Sequence, residues 1–393
     1  MGVVQFLYHP DTVLTAADLE TLALDLLAEI PIPGVEGCGF DSGIIRQTLL
    51  QAAVDQKSIK AVTDTTCGTY SDDYTLAQLH TVPPAELETL VNDLLIQQAT
   101  MILGPGPRII CLDFVDIHYH GCPHTAAGEL CHTKPRDGTS QCHRYLAGFV
   151  LCRAKPLAVA VTPVRGDEPK SDAVERLLDH VAVLPFEIAG LLADRGFYDG
   201  ASIERLDAVA PVALPIIRRG KQMAEKLETT VSYWTEYVMY EGSERELRFP
   251  LAVCVSYQQG NRGKHGLLVR AYVACDMADR TPKEVEAIYQ KRSAIETAFR
   301  TMREARARTS TTDPAVRLLF ILVSFLLRNL WLIVRWGVLA TPRRGGRALP
   351  VWFRFEMFCE WIDHALDDTL GRKWEARTNG TGIPPMYSVL DAG

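Results

Sequence analysis

The spacing of hydrophobic residues changes at Gly104-Pro-Gly-Pro-Arg108, and that change limits the fold more than any other feature of the chain. Before it, apolar residues recur at helical intervals. Thr15 stands as a capping residue ahead of a segment that runs to Ile30 and breaks at Pro31-Ile-Pro33-Gly34. Ser42 to Val54 and Pro83 to Leu103 predict two further helices, and Ser58 to His80 reads as two short helices around Gly68. That last pair suits either a helix-turn-helix or an ordinary helical bundle. After Arg108 the apolar runs shorten to strand length. Ile109–Val115, His143–Cys152 and Leu157–Val164 predict strands, followed by a helix at Ser171–Val183, a strand at Phe186–Ala193, a helix at Asp199–Val209 and a strand at Val212–Ile217. Three strands followed by alternating helix and strand predict a mixed α/β sheet with helices layered on it. Residues 218–280 turn β-rich again: Val231–Tyr240, Leu251–Gln258 and Leu267–Cys275 alternate, the last two flanking a Gly260-Asn-Arg-Gly263 turn. From Pro282 to about Arg308 one long helix is expected.

Charge is unevenly placed. The net charge is −7, yet residues 1–100 hold 14 acidic against 3 basic residues, a net of −11, so the remainder carries +4. Acidity therefore counts mildly against nucleic-acid binding by the N-terminal region and leaves basic clusters elsewhere. The N-terminus lacks the basic-then-apolar pattern of an export signal. The longest apolar run, Leu318–Leu327, is bracketed by Arg317 and Arg328 and falls short of the roughly 18 residues a membrane span needs, so a buried helix is expected. Without an export signal, the ten cysteines read as reduced thiols in a cytoplasmic protein.

The most informative segment is Tyr289 to Arg303. On a regular helix Tyr289, Arg292, Glu296, Arg300 and Arg303 share one face, a stripe about 80° wide, while Ile295, Ala298 and Met302 cover the other. Two explanations stand. Arg292–Glu296 and Glu296–Arg300 are i,i+4 pairs that stabilise an exposed helix by a few tenths of a kcal/mol. Alternatively, Glu296 is a metal-binding carboxylate flanked by guanidinium forks that match phosphate oxygens.

The spacing Tyr-x2-Arg-x3-Glu-x6-Arg resembles a signature of prokaryotic insertion-sequence transposases of the DDE class, with Arg303 where those proteins usually carry lysine. The resemblance covers roughly residues 108–335. It implies a ribonuclease H-like mixed-sheet core with a β-rich insertion, interrupted between a second aspartate and the glutamate, plus a helical N-terminal region. It also implies a first catalytic aspartate on the first strand, where Asp113 in Leu112-Asp113-Phe-Val-Asp116 stands. Asp116, three residues on, faces the opposite way on a regular strand. The second catalytic aspartate is matched by Asp194 in Asp194-Arg-Gly196-Phe197, at the end of an apolar strand; Asp199 reads as a helix start.

The implied organisation is a helical region at 1–104 for DNA binding or self-association, core segments at 105–217 and 281–340 around an insertion at 218–280, and a C-terminal region at 341–393. The implied activity is metal-dependent DNA cleavage and strand transfer by Asp113, Asp194 and Glu296 as catalytic residues and ligands of two Mg2+ or Mn2+ ions. Such ions prefer hard oxygen donors and lie about 3.5–4 Å apart in two-metal sites. Expected partners are double-stranded DNA, as terminal inverted repeats and target, and further copies of the chain in a dimer or higher assembly; no membrane is expected. Rival readings are a ribonuclease H-like nuclease without strand transfer and a transposase-derived DNA-binding protein without catalysis.

Tyr289, Arg292, Arg300 and Arg303 are expected to contact DNA. Arg218, Arg219, Lys221 and Lys226 form a basic run that suits either a solvated loop or DNA phosphates. Trp234 suits sheet packing better than base stacking. Cys122, His124, Cys131, His132, Cys142 and His143 raise a zinc hypothesis, although their spacing fits no common finger.

Overall fold

A computed structural model of the chain describes residues 13–32, 40–80, 83–104, 106–122, 128–152, 156–257, 266–344 and 346–371. The Gly260–Gly263 turn, His124 and the last fifteen residues lie outside the described residues.

Helices come first: α1 (Ala16–Ala28), α2 (Ser42–Val54), α3 (Ile59–Thr65), α4 (Asp72–Leu79) and α5 (Pro84–Ile102). Their starts are set by local chemistry. Thr15 and Asp18 close a capping box on α1, Asp41 accepts from the Gly43 amide at α2, and Ser58 and Ser71 cap the short pair on either side of Gly68. Then follow β1 (Arg108–His118), β2 (Cys131–Arg136), β3 (Thr139–Val150), β4 (Leu157–Val164), α6 (Lys170–Ala182), β5 (Ile188–Ala193), α7 (Gly200–Asp207) and β6 (Val212–Pro215). The chain continues through α8 (Lys221–Leu227), β7 (Tyr233–Met239), β8 (Leu247–Tyr257), β9 (Leu267–Cys275), α9 (Pro282–Gln290), α10 (Ala294–Arg303), α11 (Pro314–Ile333), a small hairpin of β10 (Thr341–Arg343) and β11 (Gly346–Ala348), and α12 (Phe355–Leu370).

The strands β1 to β9 form one mixed sheet in the order β2-β3-β1-β5-β6-β9-β8-β7, with β4 also on the outer edge of β3. β1, β5 and β6 are parallel; β3 and β4 on one side, and β9, β8 and β7 on the other, are antiparallel additions. The expected mixed α/β sheet is therefore present. The β-rich stretch from 218 to 280 does not stand apart from it: β9 pairs with β6 and the hairpins widen the same sheet.

Alternation along β1 divides two cores. Cys111 and Val115 face a core shared with α1 to α5, α10, α11 and α12, whereas Ile110 and Leu112 face one shared with α6 and α7. The residues before Gly104 and those after 281 thus contribute to one core, with α5 lying against α11 and α1 against α12.

Among the described residues, Pro314–Val338 is the one stretch long and apolar enough to cross a membrane by length and composition, and its apolar window is entirely buried within the protein. It is a core helix, as the bracketing arginines suggested. Arg328 in its middle donates to the Pro156 carbonyl at 2.7 Å and lies 5.8 Å from the centre of the Phe149 ring.

The outer edge of β4 is covered by two buried asparagines. Asn92 of α5 donates to Val161 O at 3.0 Å and accepts from Val161 N at 2.7 Å. Asn329 of α11 does the same at Ala158, at 2.7 and 3.1 Å. A side-chain amide carries one acceptor and two donors, so it replaces a missing neighbouring strand at that residue. Asn329→Ala leaves a buried N–H and C=O without partners, and we expect it to lower unfolding free energy by about 2–4 kcal/mol in urea titrations. A loss below about 0.5 kcal/mol would contradict this role.

Candidate active site

Asp113 and Asp194 meet because of strand register. β1 and β5 run parallel with Leu112 opposite Ala193, so the two aspartates follow at matching positions. Both lie one residue beyond neighbours packed in the second core, and so turn to the face covered by α9 and α10.

The turn after β5 explains the Asp194-Arg-Gly196-Phe197 pattern. Asp194 Oδ1 accepts from the Gly196 amide at 2.5 Å, capping a 3-10 turn at Arg195–Phe197. A Cβ on Gly196 would stand 2.7 Å from that oxygen and 3.3 Å from the Phe114 ring. Phe197 stacks on Phe114 with centroids 4.5 Å apart, tying the turn to the strand that carries Asp113. Lys170 Nζ closes the turn from outside, donating to Gly196 O at 2.6 Å and pairing with Asp199 at 3.0 Å. Asp199 itself caps α7 through Ser202 N, as read from sequence. We expect Gly196→Ala to displace the Asp194 carboxylate, which its Cβ would meet, and to lower unfolding free energy by about 1–3 kcal/mol in urea titrations. A loss below about 0.5 kcal/mol would contradict that crowding.

Arg292 and Tyr289 reach the aspartates from above. Arg292 Nη2 lies 2.6 Å from Asp113 Oδ2, with both side chains mostly buried. Burial nevertheless dominates at Asp113: its carboxyl is pushed up to about 6, the Arg292 guanidinium opposing the rise and the nearby Asp194 charge adding to it. Tyr289 feels the same charges. Its hydroxyl is pushed up to about 12, chiefly by burial, and its ring lies 5.0 Å from that of Tyr272. Arg292 Nε is buried without a hydrogen-bond partner.

The expected single helix from Pro282 to Arg308 is interrupted. α9 ends at Gln290, a 3-10 turn spans Lys291–Ser293, and α10 begins at Ala294. A 3-10 turn advances about 120° per residue against 100° in an α-helix, so α10 is rotated by roughly 60° from the continuation of α9. Tyr289 and Arg292 lie by the aspartates, while Glu296 is exposed and makes no hydrogen bond or ion pair among the described residues. Arg300 and Arg303 are exposed on α10 and likewise without carboxylate partners among the described residues. The structure thus brings Asp113, Asp194, Arg292 and Tyr289 together and leaves Glu296 outside that group. Among the described residues no set of three histidine, cysteine, aspartate or glutamate side chains gathers closely enough to hold a metal.

The remaining sequence-read residues separate cleanly. Asp116 is held on the other side of β1 by Arg144, at 2.7 and 2.8 Å, and by Thr133 at 3.0 Å; those contacts outweigh its burial and keep it below the usual carboxylate range. Arg218 and Arg219 line a cavity of about 610 Å3 with Arg195, Arg270, Tyr272 and Tyr289, adjoining the aspartates. Lys221 is solvent-exposed near Glu225, and Lys226 turns back to Thr235. Trp234 donates its indole N–H to Arg280 O at 2.9 Å, a packing role. Cys131 and Cys142 are buried register partners on β2 and β3, His143 packs edge-on against Tyr119, and Cys122 is exposed, so the zinc hypothesis finds no assembled ligand set among the described residues. Sequence reasoning missed Arg195, whose place in the cavity follows only from the tight turn around Gly196.

A mixed sheet with one aspartate in the middle of its first strand and a second just past the end of the adjacent parallel strand, covered by an arginine- and tyrosine-bearing helix, defines a ribonuclease H-like class of core. The transposase DDE domain family matches residues 104–330, and the chain belongs to that family. Its fold is similar to the cryo-EM structure of the piggyBac transposase synaptic complex with hairpin DNA, with a TM-score of 0.52 at 14% identity, covering 90% of this chain and 82% of that one. Among curated proteins, none matches the chain.

Proposed function

We propose that the chain is a prokaryotic, cytoplasmic cut-and-paste transposase. It binds the terminal inverted repeats of its element as a dimer or higher assembly, cleaves the ends and joins them to target DNA. The observation that carries this reading is the pairing of Asp113 with Asp194 beneath Arg292 and Tyr289. Burial and the nearby Asp194 charge raise the proton affinity of Asp113, and a hard divalent cation would reverse that penalty. The donor set suits Mg2+ or Mn2+, with Asp113 and Asp194 as the first ligands and Glu296 completing the set from α10 in the working complex. Bound divalent ions supply Lewis acidity at the scissile phosphodiester.

The protein's own groups do the rest. Asp113, within β1, and Asp194, just past the end of β5, fix the reacting position to two adjacent strands. Arg292 balances Asp113 and offers a guanidinium fork to phosphate oxygens. Arg218, Arg219 and Arg195 extend positive charge along the neighbouring cavity, where a DNA strand leaving the site is held. In the cleavage step water attacks the phosphorus at the element end, breaking its P–O3′ bond and releasing the 3′-hydroxyl; in the joining step that hydroxyl attacks a target phosphodiester, and the target's own 3′-oxygen leaves with the proton. The helical N-terminal region is assigned to DNA binding or self-association.

The test is incubation of the full chain with a labelled element end and an unlabelled target duplex, with Mg2+, Mn2+ or chelator. Metal-dependent nicking and joining are expected. Cleavage without joining would reassign the chain as a nuclease, and DNA binding with no cleavage would make it a binding protein only.

A further inference from the structure

Beyond Glu296 the chain carries arginines that the reading above leaves unused. Arg306, Arg308 and Arg317, the last in the first turn of α11, line a separate cavity of about 410 Å3 with His118, Tyr119 and His120. Arg317 is only 9% exposed; its Nε donates to Thr311 O at 2.6 Å and its guanidinium lies 5.2 Å over the Tyr119 ring. The contrast with other arginines is the informative point. Arg144, Arg176, Arg205 and Arg248 each hold a carboxylate. Arg306, Arg308 and Arg317 hold none among the described residues; burial depresses the proton affinity of Arg306 and Arg317, and at Arg306 the neighbouring arginines add to it.

Buried positive charge without a counterion is costly unless an anion arrives. The cavity is placed to receive one. Ile117 and Tyr119 lie four and six residues beyond Asp113 on the same face of the chain, and at about 3.3 Å per residue that is roughly 13–20 Å away. Arg300 and Arg303 precede it on α10. Successive phosphates of one DNA strand are spaced about 3.4 Å along the duplex axis.

We propose that this cavity is a phosphate-binding subsite, with Arg306 and Arg317 as its donors, for the DNA backbone a few nucleotides from the scissile bond. The proposal rests on the DNA-cleaving reading above. It commits to backbone phosphate, so recognition there is independent of sequence.

The experiment is fluorescence anisotropy of a labelled 30-base-pair duplex of mixed sequence, titrated with the full chain in chelator between 50 and 200 mM salt. Each lost phosphate contact lowers the slope of log K against log salt by about 0.9. Arg306→Gln is expected to lower it by about that amount, Arg306→Lys to restore it, and Arg317→Gln to match Arg306→Gln if it melts like the wild type. Arg205→Gln, on α7 across the sheet, is the control and leaves the slope unchanged. A folded Arg306→Gln variant with the wild-type slope overturns the subsite while leaving the DNA reading intact. Absence of salt-dependent binding by the wild type overturns both.

Discussion

Asp194→Asn is expected to cut a labelled element end at least about a thousandfold more slowly than the wild type, while binding the same DNA and melting at a similar temperature. Asparagine keeps an oxygen that accepts the Gly196 amide, so the turn that Asp194 caps survives the change. What disappears is the negative charge needed to hold a divalent cation and, through it, the charge that develops on the phosphodiester. Asp116→Asn is the matched comparison. It removes the charge and one of the two oxygens that hold Arg144, so it should cost about 2–3 kcal/mol of stability and leave the cleavage rate of the folded fraction within about threefold. Equal rate losses in the two variants would mean that neither aspartate is specifically catalytic.

In chelator, the stability of the wild type relative to Asp113→Asn should fall by on the order of 3 kcal/mol as pH rises from about 4 to about 6, then level off. The Asp113 carboxyl binds its proton more tightly in the folded protein, near pH 6, than in the unfolded chain, near 3.8. The folded state therefore holds more protons in that window, and stability declines as they leave. Carboxylates held low by their partners, such as Asp116 and Glu168, give the opposite slope, but they are common to both proteins and cancel in the difference. Mg2+ or Mn2+ should reverse the sign, because the cation binds only the ionised form. Urea titrations at half-unit pH steps measure this; a flat difference in chelator would contradict the burial of a strained carboxylate at this position.

Much of the architecture was legible because its causes are local. The Thr15 cap and the continuous apolar run at Leu157–Val164 each specify their element within a few residues. Features set by distant partners were not. Nothing in 218–280 declares that β9 pairs with β6, and strand β2 is too polar, with Pro135 in its exposed edge, to be read as a strand. The 3-10 break at Lys291–Ser293 contains no proline or glycine, so helical periodicity ran straight through it. Hence the sequence placed Glu296 on one unbroken helical stripe with Tyr289 and Arg292, whereas a 3-10 turn interrupts the helix that carries them. Asp113 was found from its place on the first strand, and Asp194 through the Asp-x-Gly-aromatic turn, whose glycine is demanded by the 2.7 Å approach to Asp194.

The central claim is that one divalent-cation position is formed by segments around Asp113, Asp194 and Glu296. Replacing Mg2+ with Fe2+ in the DNA-bound protein, adding ascorbate and peroxide, and mapping the resulting backbone cuts tests it directly. Cuts at all three segments, suppressed by excess Mg2+ and by Asp194→Asn, are the predicted result. Cuts scattered elsewhere, or unaffected by Asp194→Asn, would contradict it.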